Sequence, residues 1–257
     1  MQANCLVYRA GTVPYAVAWQ WQQKLGELIA EGVIPAVLLL LEHPHTYTIG
    51  RRGSAAHIRW TQDELDRRRV TVHWVDRGGD VTYHGPGQVV GYPLLPLQKL
   101  GFVSTVQGDV PMVDTIAFVN ELEQVLIRTL MRFGASACSR EGFRGVWIAP
   151  PQGADSAQIQ DWRKIASIGI KLTARGVTQH GFALNISPQM EYWEGIIPCG
   201  LADCHMTSLA EILDPLPPLE ALLDTLLVEF RRAFGLSIVE VNQLPFDTST
   251  ESHYTIP

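Results

Sequence analysis

Few residues in this 257-residue chain can serve as a nucleophile or a neutral base, so each one's surroundings carry weight. The four cysteines are Cys5, Cys138, Cys199 and Cys204. Cys199 stands in "IIPCGLADCHMTSL", between Pro198 and Gly200, in a turn expected to precede a helix. Free amides and the dipole at a helix N-terminus favour a thiolate and can hold an oxyanion. That chemistry is attack on an activated carbonyl. The competing reading is a small buried hydrophobe. A metal site would need Cys199, Cys204, His205 and a fourth ligand, and the spacing is not that of a zinc knuckle, so no metal is expected. Cys5 and Cys138 have no polar companions and read as structural.

A thiol nucleophile needs a base. Only four lysines are present, and Lys164 and Lys171 bracket "KIASIGIK". A lysine at the start of an apolar strand is either an exposed strand end or a buried amine. Burial disfavours the ammonium form, and a neutral amine can accept a thiol proton or pair with a thiolate. His84 and His180 lie in glycine-rich strands and are the other candidates, each alternatively a satisfied core histidine. Spacing does not choose between a Cys–Lys and a Cys–His pair. A third constellation is "DRGGDVTYHGPGQVVGYPLL", residues 76–95. Gly78 and Gly79 would let backbone approach a ligand or curve a strand, and Gly85–Pro86–Gly87 would turn tightly between His84 and Gln88. Neither G-x-x-x-x-G-K-[ST] nor G-x-G-x-x-G occurs, so this is not a phosphate cradle.

The elements that must position these residues alternate along the chain. Helical periodicity and end signals predict helices over 14–32, 111–134 and 217–235, with a short one opening at 207–213, where Ser208 and Glu211 stand at capping-box spacing. Strands are predicted over 37–42, 71–75, 80–84, 88–95, 144–149, 164–172 and 180–186. Residues 150–162 read as a polar loop. Together they give one α+β domain over 1–241, a mixed sheet flanked by helices, followed by a polar tail over 242–257. A hydrophobic fraction of 46% is ample for a core. A net charge of -6 argues against a nucleic-acid binder. The most apolar stretch, 33–43, is too short to span a bilayer. No secretory signal is visible, so the expectation is a cytoplasmic protein with reduced thiols.

"RGGDVTYHGPGQVVGYPLL", "KIASIGIK", "HGFALNI" and "IIPCGLADCHMTSL", in this order and spacing, resemble the octanoyltransferases of lipoate biosynthesis. The resemblance runs from about residue 37 to 213, and four motifs together make it specific. It implies the fold of the biotin/lipoate ligase superfamily. It implies transfer of an octanoyl group from acyl carrier protein to a lysine ε-amine on lipoyl domains of 2-oxoacid dehydrogenase complexes and the glycine cleavage H protein, with no cofactor. By this match Cys199 is the acyl-thioester nucleophile, and Lys164 activates it and shuttles protons. Arg77, Gly78, Gly79, Asp80, Val81, Thr82, Tyr83 and His84 form one wall of the substrate pocket. Ser167, Ile168, Gly169, Gly181, Phe182 and Ala183 are its other substrate contacts. The loop before Lys164 is longer than the family pattern and the tail is an extension. The alternatives are an ATP-dependent lipoate-protein ligase, a catalytically dead acyl-binding module on the same fold, and a cysteine hydrolase, for which the sequence offers no orienting Asn or Asp.

Overall fold

The computed structural model describes residues 3–106, 110–150, 161–200 and 204–246. The centre of the predicted loop and the tail beyond residue 246 lie outside the described residues. Strand β1 (Asn4–Thr12) leads into helix α1 (Tyr15–Ala30). Pro14 sits just ahead of the helix, where its fixed φ suits the entry and its missing N–H is not needed. α1 buries Ala18, Trp21, Leu25 and Ile29, a stripe at three- and four-residue intervals. β2 (Ala36–Glu42) is buried on both faces, which is why it reads as a continuous apolar run. β3 (Thr46–Ile49), a short helix α2 (Gln62–Arg67), β4 (Thr71–Trp74), β5 (Val81–His84) and β6 (Gln88–Leu94) follow.

β7 (Val103–Val106) and β8 (Val110–Val113) form a hairpin ahead of helix α3 (Thr115–Arg132). This corrects the predicted helix over 111–134. Asp114 accepts the Ala117 N–H at 2.8 Å, a cap that starts the helix at Thr115 and leaves the residues before it to pair with β7. β9 (Ala137–Arg140), β10 (Phe143–Ile148), β11 (Arg163–Leu172), β12 (Thr178–Asn185), β13 (His205–Met206), helix α4 (Leu219–Phe234) and β14 (Ser237–Glu240) complete the order. The capping pair at Ser208 and Glu211 is present, with the Glu211 carboxylate accepting the Ser208 N–H at 3.1 Å. It opens only a three-residue turn, Leu209–Glu211, because Pro215 lacks the N–H needed to continue it and turns the preceding backbone away from helix.

The main sheet runs β14-β1-β2-β6-β12-β11-β10-β9, with β13 beside β11. Its β14-β1-β2 edge is parallel and the rest of the path from β2 onward is antiparallel, so it is mixed, as predicted. Helices α3 and α4 cover one face, burying Phe118, Leu122, Leu226 and Phe230 against Leu38, Val146, Ile165 and Leu184. α1 covers the other face against Val37, Leu39, Val90 and Tyr92. A small sheet, β4-β3-β5, packs against Tyr192, Trp193 and Ile196. Among the described residues, no helix is long and apolar enough to cross a membrane.

Candidate active site

A cavity of about 600 Å³ lies along β11 and β12. At one end Lys164, only 4% exposed, places Nζ 3.2 Å from Cys199 Sγ. A β-bulge brings it there. Trp147 faces Lys164 and Val146 faces Ala166, so Ile165 is an extra residue on β11. Ile165 and Ala166 consecutively enter the α3–α4 core, and Lys164 and Ser167 flank them from the cavity side. A regular strand would put Lys164 in phase with Ala166, Ile168 and Ile170, buried against the helices. That phase conflict is visible in "KIASIGIK" and was a signal for the bulge.

Neighbouring backbone makes room for the amine. Gly145 has φ +111°, and a Cβ there would stand 2.4 Å from the Ala166 carbonyl oxygen and 2.6 Å from Lys164 Cε. The Gly145 N–H donates to the buried Glu123 carboxylate at 2.8 Å, and burial pushes that carboxyl upward. The Trp147 ring centre is 5.3 Å from Lys164 Nζ, within cation–π reach. Sequence reasoning missed Gly145 and Glu123, since neither stands in a recognisable motif.

Among the described residues, no helix begins directly after Cys199. The cysteine lies in a tight turn, Pro198–Gly200, with left-handed backbone (φ 58°, ψ 16°), and the next described helical turn begins at Leu209. The turn is tied to the segment after β3: the Ile197 N–H donates to the His57 carbonyl at 2.8 Å, and His57 Nδ1 lies 2.8 Å from Asp80 Oδ1. Gly200, at φ +69°, passes so near Asp80 that a Cβ would approach Oδ2 to 2.5 Å. By contrast Cys204 is an ordinary buried thiol, pushed up to about 11 chiefly by burial. Among the described residues no cluster of three or more His, Cys, Asp or Glu is placed to hold a metal ion.

Every residue of the predicted 77–84, 167–169 and 181–183 runs lines the cavity except Tyr83. Strand alternation turns Tyr83 into the small-sheet core, where its hydroxyl meets His45 Nδ1 at 2.9 Å and its ring stacks on Tyr192. Arg77 is buried and bonded to Thr48 and to the Gly78 carbonyl, and desolvation lowers its affinity for its proton. Of the three candidate bases, Lys164 is the one at hydrogen-bond distance from the thiol. His84 is engaged with Gln88 and Thr48. His180 is engaged with Asp76 and Tyr15. Burial holds both imidazoles below the ordinary histidine range. Alternation would put His180 on the α3–α4 face with Phe182 and Leu184, but its φ of +58° turns it toward α1. Tyr15 and Tyr92 also line the cavity; Tyr15 lies outside the motifs, and Tyr92 stands within the first of them without having been named as a contact.

The lipoyl protein ligase A/B catalytic domain model matches residues 14–231. An octanoyltransferase of Chloroflexus aggregans is 39% identical over 230 residues, 90% of this chain and 95% of that protein. One from Corynebacterium jeikeium is 44% identical over 205 residues, 79% of this chain and 76% of that protein. The chain belongs to the octanoyltransferase family. Membership makes it an acyltransferase. A bipartite lipoate protein ligase from Thermoplasma acidophilum superposes with a TM-score of 0.66 at 13% identity, over 95% of this chain and 88% of that one. Lipoate-protein ligase A bound with ATP gives 0.63 at 12%, over 95% and 90%. At such identities the likeness is one of fold, and the expected lipoate-ligase fold is the one observed.

Proposed function

We propose that this octanoyltransferase-family enzyme moves an octanoyl group from octanoyl-acyl carrier protein to a lysine ε-amine on lipoyl domains, through an acyl thioester on Cys199. Its acceptors are the lipoyl domains of 2-oxoacid dehydrogenase complexes and the glycine cleavage H protein. It works as one catalytic domain over 1–241, in the cytoplasm. The observation that carries the reading is the 3.2 Å contact between Lys164 Nζ and Cys199 Sγ at one end of a cavity of about 600 Å³.

In the first half-reaction Lys164 takes the Cys199 proton, and the sulfur attacks the thioester carbonyl. The carrier thiolate leaves and receives that proton from Lys164. In the second, the neutral acceptor amine attacks the Cys199 thioester. An amide forms, the C–S bond breaks, and Lys164 removes the surplus amine proton while Cys199 returns to its starting state. The donor thioester is already activated, so neither half requires ATP. Burying acyl methylenes in the cavity stabilises the bound chain by about 0.8 kcal/mol each.

Intact-protein mass spectrometry after mixing with octanoyl-acyl carrier protein, without ATP or acceptor, tests this. One octanoyl adduct is expected, mapped to Cys199 and released by hydroxylamine. A folded protein that stays unmodified, and labels a lipoyl domain only when given ATP and free octanoate, is a ligase instead.

A further inference from the structure

We infer that the end of the cavity farthest from Lys164 limits acyl-chain length, and that it does so by polarity rather than by steric blockage. The inference rests on the acyl-transfer reading above. Lys164 and Ile170 are six residues apart on β11, and His180 pairs opposite Ile170. Arg77 packs beside Gly169 at the same level. Tyr15 bonds His180, and Tyr92 follows Gly91, which pairs with Phe182. Lys164 and the two tyrosines therefore stand at different levels of one slot, with Arg77 close enough to Cys199 to feel its charge.

The hydrogens at the far end can be assigned. His43 Nδ1 lies 2.7 Å from the Val13 carbonyl, which can only accept, so Nδ1 carries a hydrogen. His43 is fully buried, and burial lowers it to about 4, so the ring is neutral and Nε2 accepts. The Tyr92 hydroxyl, 2.7 Å from Nε2, must donate. At His180, Nε2 donates to the Asp76 carboxylate at 2.8 Å, which Lys171 also holds at 2.6 Å. His180 Nδ1 then accepts from the Tyr15 hydroxyl at 3.3 Å. Both tyrosines spend their single hydrogen on a buried histidine and present only lone pairs to the cavity.

Two more groups add to this polarity. The Thr82 hydroxyl is buried at the cavity wall without a protein partner. Arg77 directs Nε and Nη2 to Thr48 and one Nη1 hydrogen to Gly78, which leaves one N–H uncommitted. Groups of this kind are hydrated when no ligand is bound. An alkyl tail reaching them displaces that water and returns no hydrogen bond. Methylenes added near Lys164 are favourable, whereas those added at the far end are not.

The test is the kcat/KM for loading Cys199 from octanoyl-, decanoyl- and dodecanoyl-pantetheine, in the wild type, Tyr92→Phe and Tyr15→Phe. Each substitution removes one oxygen and leaves the ring. The decanoyl-to-octanoyl ratio is expected to rise about tenfold per hydroxyl removed. Unchanged ratios in both variants would mean a steric stop and overturn the inference. If Tyr92→Phe does not fold, Tyr15→Phe, whose bond is longer, decides. Calorimetric binding of free octanoate and decanoate gives a second readout that needs no catalysis. Should the wild type fail to load octanoate at all, the transfer reading falls, while the ratio of free-acid affinities still decides the length limit.

Discussion

The two ends of the cavity use similar backbone devices to opposite purpose. At each end a side chain that strand alternation would direct at the α3–α4 face is turned away from it, Lys164 by the bulge at Ile165 and His180 by its left-handed φ. Lys164 then meets one hydrogen-bonding partner among the described residues, Cys199 Sγ. His180 meets Asp76 and Tyr15 through its ring and Gln22 through its N–H. On the proposed mechanism, the group that gains and loses a proton is held by packing against Trp147 and Gly145, with its valence left open. A group that must keep one tautomer is saturated.

The largest expected effect breaks the open end outright. Cys199→Ala should give no octanoyl adduct by mass spectrometry, with a circular dichroism melt close to that of the wild type. An adduct elsewhere on the chain would remove Cys199 from its role. Next is Lys164→Ala, expected to slow both half-reactions by roughly a hundredfold to ten-thousandfold in single-turnover assays. Lys164→Arg should not rescue it, because a guanidinium does not give up its proton. Wild-type rates would show that packing around the thiol, and not the amine, is what the bulge delivers.

Gly145→Ala sharpens the comparison. The added Cβ meets Ala166 backbone and the Lys164 stem, and φ +111° is unfavourable for alanine. The expected outcome is a loss of roughly tenfold to a hundredfold in kcat with little change in KM, and a destabilisation above about 1 kcal/mol. Equal losses in both kinetic constants would place the damage in binding instead.

The smallest expected effect on transfer rate is at the saturated end, which is read instead through stability. His43 in the folded chain sits near 4, against an ordinary 6.5, because burial opposes its charge. Below pH 6.5 the unfolded chain takes a proton that the native one refuses. Stability is therefore full above 6.5 and falls as pH drops toward 4, by up to about 3 kcal/mol from this residue. Melting temperatures measured from pH 7.5 to 5 should decline, and His43→Gln should flatten the slope. An unchanged slope would assign the acid sensitivity to the other histidines that burial lowers, His45, His73, His84 and His180.

Much of this was legible before the structure. The helices at 14–32 and 217–235 declared themselves by periodicity with a proline at the start and a glycine at the stop, and they appear as α1 and α4. The motif runs named most of the cavity lining because the family resemblance carried those positions over as substrate contacts. Less visible were the short strands β3, β9 and β14 and the longer, interior β1, whose mixed composition makes sense only beside the neighbours that pair with them. Tyr83 was misplaced because a motif read as a block hides the alternation within it. Asp76 stands at the edge of the same block, yet nothing in the sequence says that it orients His180 across 104 positions.

The extra residue at Ile165 also sets a rule of length. Between Lys164 and Ser167 stand two residues, Ile165 and Ala166, where a regular strand would allow one or three. A deletion there would leave each neighbouring amino acid unchanged and still carry the amine through the sheet to the greasy side. Related chains should therefore tolerate insertions within 151–160, upstream of β11, far better than any change of count between Lys164 and Ser167. What descent has to preserve here is an interval as much as a residue, and a relative that keeps both side chains but alters that interval would hold an acyl chain without transferring it.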